Sequence, residues 1–293
     1  MNRTALLTGM DTSEIARSIC ASLLVSDYEV VATSEGRYEA GTQDRTQFDA
    51  AYAAFPPVAF EAVDFCSEES LSTLISRLSN RTYDVVVNGA STLAAAPDGG
   101  VSNEFVAFDY SEFSRVLQYN VTAVAAICIG LKDRIKSGGV IINVTSSAAK
   151  EGAFSTLSYN ASKAAVNSLT KSLANTFGPS RGVRVNSIAP GWIPPSSDAA
   201  ADGVVALADA LTPSLVAGSP SDVAAAVHYM IAAPFQNGSV LAVDGGITSS
   251  YLAYMLESLQ SQGVPMDETM QSLVALISQA KRDLRSSDGP QTH

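Results

Sequence analysis

The chain has 293 residues, of which 46% are hydrophobic, and this is enough for a sizeable core in one large α/β domain or two smaller domains. The 18 basic and 29 acidic residues give a net charge of −11, which repels a polyanion, so we expect no nucleic-acid partner. The sequence has neither a signal-peptide pattern nor an apolar run of the roughly 20 residues that a membrane-spanning helix needs, so we predict a cytoplasmic protein with no membrane partner.

Short β-rich runs alternate with helix-length segments along the chain. Seven runs are strand candidates, in chain order TALLTG, YEVVATS, AFEAVDF, DVVVNGA, GVIINVTS, VRVNSIAP and SVLAVDGG. Helices are predicted over 14–25, 69–78, 111–132, 159–177 and 220–232. Because the strands lack polar alternation, both faces of their sheet must be covered. The pattern predicts a doubly wound parallel sheet of about seven strands in a three-layer α/β/α fold.

Two regions break the periodicity, and a tail follows the last strand. Residues 36–57 and 194–203 are rich in residues that interrupt helices and strands. The second region is predicted to begin a mobile lid over about 194–217. We predict a single domain over 1–247 that includes this lid, and a helical extension over 248–293. The apolar stripe of the extension is predicted to dock on the domain or on another subunit.

The cysteines and histidines indicate neither a metal site nor a disulfide framework. Cys20, Cys66 and Cys128 lack metal-ligand spacing and lie in or beside apolar patterns, where a thiol serves as a small core residue. His228 lies inside the apolar pattern DVAAAVHYMIAA, and His293 is the last residue. We predict no metal and a place near the core for His228.

One constellation points to proton-transfer chemistry. Tyr159 and Lys163 are four residues apart at the start of a predicted helix, so they share one face of it. The lysine charge is expected to stabilise the phenolate and to lower the pKa of Tyr159 towards neutral pH. Ser146, at the end of the strand GVIINVTS, is expected to face the same substrate oxygen. The spacing of Ser, thirteen residues, Tyr, three residues and Lys is much more specific than the Tyr–Lys pair alone.

The chain resembles the short-chain dehydrogenase/reductase superfamily, which consists of NAD(P)(H)-dependent enzymes on a Rossmann sheet. Landmarks of the family recur in order over residues 4 to about 247. They are TG at residues 8–9, DVVVNGAS, YNVTA with Asn120, Ser146, Tyr159 with Lys163, VNSIAPGWI and VLAVDGG. The resemblance implies oxidoreduction of a small-molecule carbonyl or alcohol, and a homodimer or homotetramer formed through helices in the region 104–178.

The resemblance also implies a role for individual residues. Tyr159 is the expected general acid or base, Ser146 the partner of the substrate oxygen, Lys163 the partner of the nicotinamide ribose, and Asn120 the residue that kinks its helix and holds a water in the proton relay. Asp64 and Phe65 are expected to contact adenine. The remaining cofactor contacts are expected from Asn88, Gly89 and Ala90 at the adenine ribose, and from Pro190, Gly191 and Ile193 at the nicotinamide.

The phosphate-binding loop departs from the family pattern T-G-x-x-x-G-x-G. In TGMDTSEIARSIC only Gly9 remains, and the other glycines are replaced by Ser13 and Ile15, or by Glu14 and Ala16 if one inserted residue is allowed. Asp11 and Glu14 bring negative charge near the expected pyrophosphate, which is unfavourable. Ser13 retains a hydroxyl that can donate to a phosphate.

Cofactor choice depends on VVATSEGR, which follows the second strand. Ser34 occupies the position where many NAD-dependent members of the family have Asp, and Glu35 and Arg37 follow it. Glu35 is expected to repel the 2′-phosphate of NADP, whereas Arg37 attracts it. The sequence therefore leaves NAD or NADP open, with a lean to NAD.

The residues expected around the substrate are mostly apolar and include Ala148, Phe154 and Trp192, which suits a small apolar carbonyl compound. Trp192 fits equally well as a packing residue of the lid.

Two alternatives to an oxidoreductase remain, a binding or regulatory protein on a Rossmann scaffold and a lyase or isomerase on the same fold. The combination of Asn120, Ser146, Tyr159 and Lys163 favours an enzyme.

Overall fold

The computed structural model of the chain describes residues 3–11, 13–93, 109–150, 156–194, 212–214 and 216–249. The chain divides into two compact units, one of Met1–Pro190 with Pro220–Val243, and one of Gly191–Ser219 with Asp244–His293. The first unit holds the whole sheet. The helical extension predicted over 248–293 and most of the predicted lid lie outside the described residues, so the predicted domain bounds stay a prediction.

The sheet has seven parallel strands in the order β3-β2-β1-β4-β5-β6-β7. The strands are β1 (Arg3–Thr8), β2 (Tyr28–Ser34), β3 (Ala59–Ala62), β4 (Tyr83–Asn88), β5 (Ile135–Val144), β6 (Arg184–Pro190) and β7 (Val240–Val243). The prediction of a seven-stranded parallel sheet is confirmed. The strand order changes direction between β1 and β4, and ligands of such sheets bind at this point, beyond the carboxyl ends of the strands.

Helices connect the strands within the first unit. They are α1 (Glu14–Val25), α2 (Gln43–Ala51), α3 (Glu68–Leu78), α4 (Tyr110–Leu117), α5 (Ala123–Gly130), α6 (Leu157–Arg181) and α7 (Pro220–Ala232). The predicted bounds of α1 and α7 are those of the structure. The predicted helix over 111–132 is instead two helices joined by a π-helical turn, Gln118–Thr122. Residues 36–57, in which the sequence shows no periodicity, contain α2.

Local capping explains where several helices begin. The side chains of Ser13, Thr42 and Ser67 each accept a hydrogen bond from a main-chain N–H in the first turn of α1, α2 and α3. Such caps satisfy donors that have no partner inside a helix, and each contributes about 1 kcal/mol. These helices follow β1, β2 and β3, so their N-terminal ends are on the side of the sheet where the expected site lies.

The core of the first unit lies against both faces of the sheet. Leu6, Val86 and Ile141 of the central strands are fully buried. On one face they belong to a cluster that includes Leu74 of α3 and Phe177 of α6. Among the helices in the described ranges, none is both long and apolar enough to cross a membrane.

The other face carries α1 and α7, and His228 lies at their contact. His228 is half-buried on α7, and its Nε2 is 2.6 Å from the Ser22 hydroxyl of α1. The position of His228 agrees with the prediction of a helix residue near the core.

The second unit is described by 191–194, 212–214, 216–219 and 244–249. The Gly218 N–H donates to the carbonyl of Trp192 at 3.1 Å. At Gly191 a Cβ would lie 2.7 Å from Asp244 Cα, so glycine is required by this close approach. Asp244 Oδ2 accepts hydrogen bonds from the Thr248 N–H and hydroxyl.

Candidate active site

Tyr159 and Lys163 lie one turn apart on α6, and Ser146 follows β5. The Lys163 Nζ is 5.4 Å from the centre of the Tyr159 ring and donates to the Val144 carbonyl at 3.1 Å. The side chains of Ser146 and Ser91 both lie near enough to the Tyr159 phenol to lower its pKa. The structure therefore brings the three predicted residues together and adds Ser91, to which the sequence analysis gave no role.

Burial dominates the protonation of this pair. Lys163 is 2% exposed, and burial lowers its pKa from 10.5 to about 8. Burial raises the pKa of Tyr159, and the hydrogen bonds with Ser146 and Ser91 offset this only in part. The expected lowering of the Tyr159 pKa by Lys163 is therefore not found in this structure. The physical reason is that removal from water disfavours the charged form of both groups, and the Lys163 ammonium is directed at a main-chain carbonyl.

Asn120 lies in the π-helical turn and is 1% exposed. Its Oδ1 accepts from the Thr92 N–H at 2.9 Å, and its Nδ2 donates to the Thr92 carbonyl at 2.9 Å. Nδ2 also donates at 2.9 Å to the Ser162 hydroxyl, which in turn donates at 2.7 Å to the Tyr159 carbonyl. The predicted distortion of the helix at Asn120 is present. The side chain links the segment after β4 to the helix of Tyr159.

The Asn120 links involve two residues that sequence reasoning missed, Thr92 and Ser162. Ser162 could have been suspected, because it lies between Tyr159 and Lys163 on one helix. Nothing in the sequence signals Thr92, which contributes only main-chain atoms.

The segment after β4 packs tightly against the loop after β1. The Gly89 and Ala90 N–H groups both donate to Thr8 Oγ1 at 3.1 Å. Gly9 has φ = 88°, and a Cβ there would lie 2.4 Å from Ala90 Cα. Only glycine fits this backbone and this contact. Gly9, Gly89 and Ala90 are therefore adjacent at the strand ends, and their expected contacts with a cofactor stay a prediction.

Asn88, at the end of β4, faces the interior. Its Nδ2 donates to Asn143 Oδ1 at 2.8 Å, while its buried Oδ1 has no hydrogen-bond partner within the described ranges. The structure therefore places the Asn88 side chain in contact with β5, and its expected contact with the adenine ribose stays a prediction.

The loop that follows Gly9 differs from a glycine-rich phosphate loop in its side-chain bonds. Ser13 caps α1 by accepting from the Ile15 N–H at 3.1 Å. Glu14 lies in the first turn, 3.8 Å from the guanidinium of Arg17. Ser13 and Ile15 thus lie at a helix N-terminus, where N–H groups and the helix dipole favour an anion.

The Asp11 carboxylate binds the loop between β2 and α2. Its oxygens accept from the Ser34 hydroxyl at 2.8 and 3.0 Å, from the Glu35 N–H at 2.5 Å and from the Arg37 N–H at 3.2 Å. Arg37 forms an ion pair with Asp44 at 2.7 Å. The sequence placed the Asp11 charge near a pyrophosphate; in the structure its side chain crosses to the end of β2 instead.

Glu35 and Tyr119 connect this loop to the π-helical turn. The Tyr119 hydroxyl donates to Glu35 Oε2 at 2.5 Å, and its ring centre is 5.0 Å from that of Phe65. Partial burial raises the pKa of Glu35, the charges of Asp11 and Asp64 add to this, and the Tyr119 hydrogen bond opposes it. Phe65 is buried, so its side chain packs inside while Asp64 is exposed.

A groove of about 440 Å³ opens beside these residues and is lined by Ser34, Glu35 and Asp64 among others. The predicted adenosine contacts from β2 and from the segment after β3 therefore share one surface. The glycine contact at Gly9 lies at the carboxyl edge of the sheet, and the groove extends from the end of β2 along α3 as far as Arg77.

The residues predicted to contact the nicotinamide and the substrate are only partly described. Pro190 is buried at the end of β6, whereas Gly191, Trp192 and Ile193 belong to the second unit. Trp192 is 40% exposed. The Ala148 N–H donates at 3.1 Å to Ser146 Oγ, which places Ala148 beside the expected substrate oxygen. Phe154 lies outside the described residues.

Comparison with known proteins extends over most of the chain. A family model described as Enoyl-(Acyl carrier protein) reductase matches residues 9–248. Acetoacetyl-CoA reductase from Acinetobacter sp. (strain RA3849) is 26% identical and covers 84% of this chain and 97% of its own length. Cis-4-hydroxycyclohexanecarboxylate dehydrogenase from Sinomonas cyclohexanicum is 34% identical over 64% of this chain and 75% of its own length.

A solved structure shares the fold. The RhlG/NADP active-site complex from Pseudomonas aeruginosa has a TM-score of 0.69 and 24% identity, and the match covers 84% of this chain and 96% of that one.

Proposed function

The chain belongs to the short-chain dehydrogenase/reductase superfamily of NAD(P)-dependent carbonyl and alcohol oxidoreductases, and from this we propose that Tyr159, Ser146 and Lys163 form its catalytic centre. The bound nicotinamide supplies or accepts the hydride. The chain itself holds the substrate oxygen and moves the proton. In reduction, Tyr159 donates its phenolic proton to the carbonyl oxygen while the Ser146 hydroxyl hydrogen-bonds the same oxygen.

Lys163 has two parts in this proposal. Its hydrogen bond to the Val144 carbonyl ties the helix of Tyr159 to the end of β5, which Ser146 follows. An ammonium has three donors, and the Val144 carbonyl accepts one of them. The other donors suit the hydroxyls of a ribose. The ribose of a bound nucleotide would therefore accept hydrogen bonds from the buried ammonium of Lys163.

The observation that carries the proposal is that Ser146 lies near enough to the Tyr159 phenol to lower its pKa, beside a buried lysine whose Nζ is 5.4 Å from the centre of the Tyr159 ring. We test it with Tyr159→Phe and two probes taken from the relatives, acetoacetyl-CoA with NADH or NADPH and cis-4-hydroxycyclohexanecarboxylate with NAD⁺ or NADP⁺. Positioned acid–base groups contribute about 10²–10⁴-fold, so kcat/KM should fall by about 10³-fold or more in Tyr159→Phe.

Tyr119→Phe is the matched control, because it removes a phenol from the same region that bonds Glu35 and not Ser146. We expect Tyr119→Phe to retain turnover. Undiminished turnover in Tyr159→Phe contradicts the catalytic assignment. Failure of the wild type to bind any of the nucleotides favours a binding or regulatory protein.

For the cofactor we propose NAD(H) in preference to NADP(H), and Asp11 carries the argument. The groups that could bind a 2′-phosphate after β2 are the Ser34 hydroxyl and the N–H groups of Glu35 and Arg37, and all three already donate to the Asp11 carboxylate. Glu35 adds a second negative charge. Arg37, which the sequence offered as a phosphate partner, is paired with Asp44. RhlG, whose fold this chain shares, is an NADP complex, so this preference distinguishes the two.

The prediction is tested by the dissociation constants of NADH and NADPH. Wild-type protein should bind NADH at least about tenfold tighter, because a like charge at the 2′ position costs about 1.4 kcal/mol or more. Asp11→Ser should narrow this ratio by about tenfold, since it frees three donors. The control Asp49→Asn removes an equal charge from α2, where Asp49 pairs with Arg45, and should leave the ratio unchanged. Equal binding of NADPH by the wild type contradicts the preference.

The finer expectations from the sequence also belong to this proposal. We propose a small, largely apolar carbonyl or alcohol substrate, since Ala148 lies beside Ser146. A homodimer or homotetramer in the cytoplasm stays a prediction from the resemblance.

A further inference from the structure

The two residues before Ser146 are anchored to the neighbouring elements. The Val144 carbonyl accepts from the Lys163 ammonium of α6 at 3.1 Å. The Thr145 N–H donates to the Ile188 carbonyl of β6 at 2.7 Å, and the Thr145 hydroxyl donates to the same carbonyl at 3.1 Å. A segment that is held from both α6 and β6 cannot shift without breaking these bonds. The position of the Ser146 backbone is therefore specified by the fold.

A short 3₁₀ helix, Ser147–Ala149, follows Ser146 and directs two N–H groups at it. The Ala148 N–H donates to the Ser146 side-chain Oγ at 3.1 Å. The Ala149 N–H donates to the Ser146 main-chain carbonyl, also at 3.1 Å. Ser146 has extended backbone angles, φ = −163° and ψ = 155°, and caps the helix with its side chain. Two consecutive amides thus hold the side chain and the main chain of this serine separately.

The bond with Ala148 determines what the Ser146 hydroxyl can offer a ligand. A hydroxyl has one hydrogen and two lone pairs, whereas a main-chain N–H can only donate. The Ala148 N–H occupies one lone pair, so this bond is lost if the hydroxyl turns its hydrogen towards Ala148. Accepting from an amide also polarises the O–H bond, which makes the hydroxyl a stronger donor. The Ser146 hydroxyl is therefore prepared to donate to an oxygen on the side away from Ala148.

Resting on the proposed function of Ser146, we propose that the Ala148 N–H is a positioning group for the reaction, which holds the Ser146 hydroxyl as a donor to the substrate oxygen. In reduction the carbonyl oxygen accepts from Ser146 and takes its proton from Tyr159. In oxidation the alcohol oxygen accepts from Ser146 and gives its proton to Tyr159. The substrate oxygen accepts the Ser146 hydrogen in both directions, and Ser146 neither gains nor loses a proton.

The experiment replaces the Ala148 N–H by an ester oxygen and keeps the methyl side chain, through Ala148→lactic acid introduced by nonsense suppression. The substrates are those used for Tyr159→Phe. Loss of the orienting hydrogen bond should lower kcat/KM by about tenfold. The loss should lie mainly in kcat, because orientation matters most when charge develops on the substrate oxygen. Ala149→lactic acid is the matched control, since it removes the neighbouring N–H, which bonds the main-chain carbonyl of the same serine.

Repeating both esters in Ser146→Ala separates positioning from a structural disturbance. With no hydroxyl to orient, the Ala148 ester should cause no further loss of kcat, whereas the Ala149 ester should have the same effect in both backgrounds. The Ala148 ester also weakens the Ser147 carbonyl, which accepts from the Lys150 N–H at 2.8 Å, and any loss from this bond persists in Ser146→Ala. An Ala148 ester that turns over like wild type, or that costs as much in Ser146→Ala, overturns the proposal.

A second measurement needs neither turnover nor a ligand. In Ser146→Ala the Ala148 N–H loses its acceptor, so its hydrogen exchange, followed by NMR of ¹⁵N-alanine-labelled protein, should be about tenfold faster, while the Ala149 N–H exchanges as in wild type. Equal exchange of the Ala148 N–H in both proteins also overturns the proposal. If exchange accelerates but Ser146→Ala keeps wild-type activity, the proposed function of Ser146 fails and the bond stands. If Ser146→Ala is impaired and the Ala148 ester is not, only the role of Ala148 fails.

Discussion

Lys163 shows how a single residue can favour function at the expense of stability. The side chain is 2% exposed, and burial lowers its pKa from 10.5 to about 8. Each pKa unit corresponds to about 1.4 kcal/mol, so keeping the ammonium charged in the fold costs about 3 kcal/mol at neutral pH. The ammonium also donates to the Val144 carbonyl at 3.1 Å. We therefore expect Lys163→Met to be inactive but more stable than wild type at pH 7.

The pH dependence of this effect follows from linkage. Below pH 8 the lysine is charged in both the folded and unfolded chain, and the full cost is present. Between about pH 8 and 10.5 the unfolded chain holds the proton and the folded chain does not, so wild-type stability rises with pH. Urea unfolding should show a stability gain in Lys163→Met of up to about 3 kcal/mol at pH 7 that shrinks at pH 9.5. Lys132 is exposed, so Lys132→Met should change the free energy of unfolding by less than about 0.5 kcal/mol at both pH values. If Lys163→Met were less stable than wild type at pH 7, the proposed cost of burying the Lys163 charge would be contradicted.

Among single residues, sequence spacing predicted proximity well and side-chain direction poorly. Ser146 lies at the end of β5, and Tyr159 and Lys163 are one turn apart on α6, so their proximity follows from their spacing in the sequence. Asp11 could not be placed, because its neighbours in the sequence say nothing about the Ser34 hydroxyl and the N–H groups across the strand end. The Tyr159 pKa was missed for a related reason. The sequence shows that a cation is near but not how much water both groups lose.

At the level of elements, regular patterns were readable where burial is strong. The helix α1 buries five residues along one side, and its bounds were predicted correctly. The helix α2 buries only Phe48, so it has no apolar stripe from which it could be recognised. It is held by the Thr42 cap and by Phe48 packing against the rings of Tyr38 and Phe60. Tyr38 and Phe60 lie outside α2, so the sequence of the helix itself does not reveal these ring contacts.

The π-helical turn is a second element that periodicity could not reveal. Its extra residue changes which side chains face the interior, and Asn120 and Tyr119 are both buried as a result. The apolar pattern of 111–132 was therefore read as one continuous helix. The resemblance to a family, and not the pattern, predicted a distortion at Asn120. The turn serves the site, because it places an amide against Thr92 and a phenol against Glu35.

The strand order of the whole sheet was not available from the pattern, although its parallel, seven-stranded character was. Pairing of β1 with both β2 and β4 leaves a crevice at the carboxyl edge between them. Gly9 lies on that edge, and the groove beside Asp64 opens there before it continues along α3. The opposite edge, with Arg3 and Tyr83, carries none of these features.

This asymmetry predicts where a nucleotide protects the backbone. At an NADH concentration of about 100 times the dissociation constant, binding stabilises the folded site by about 2.7 kcal/mol against any local unfolding that releases NADH. Hydrogen exchange of amides that depends on such local unfolding should therefore slow by about 100-fold. We expect the slowing in peptides that contain residues 9–16, 33–38, 64–66 and 88–92. Peptides from the amino edge, around 79–83 and 135–138, serve as internal controls and should exchange at the unliganded rate. Protection confined to the amino edge, or equal at both edges, contradicts a site at the carboxyl ends of the strands, because a ligand in the crevice touches only one end of the sheet.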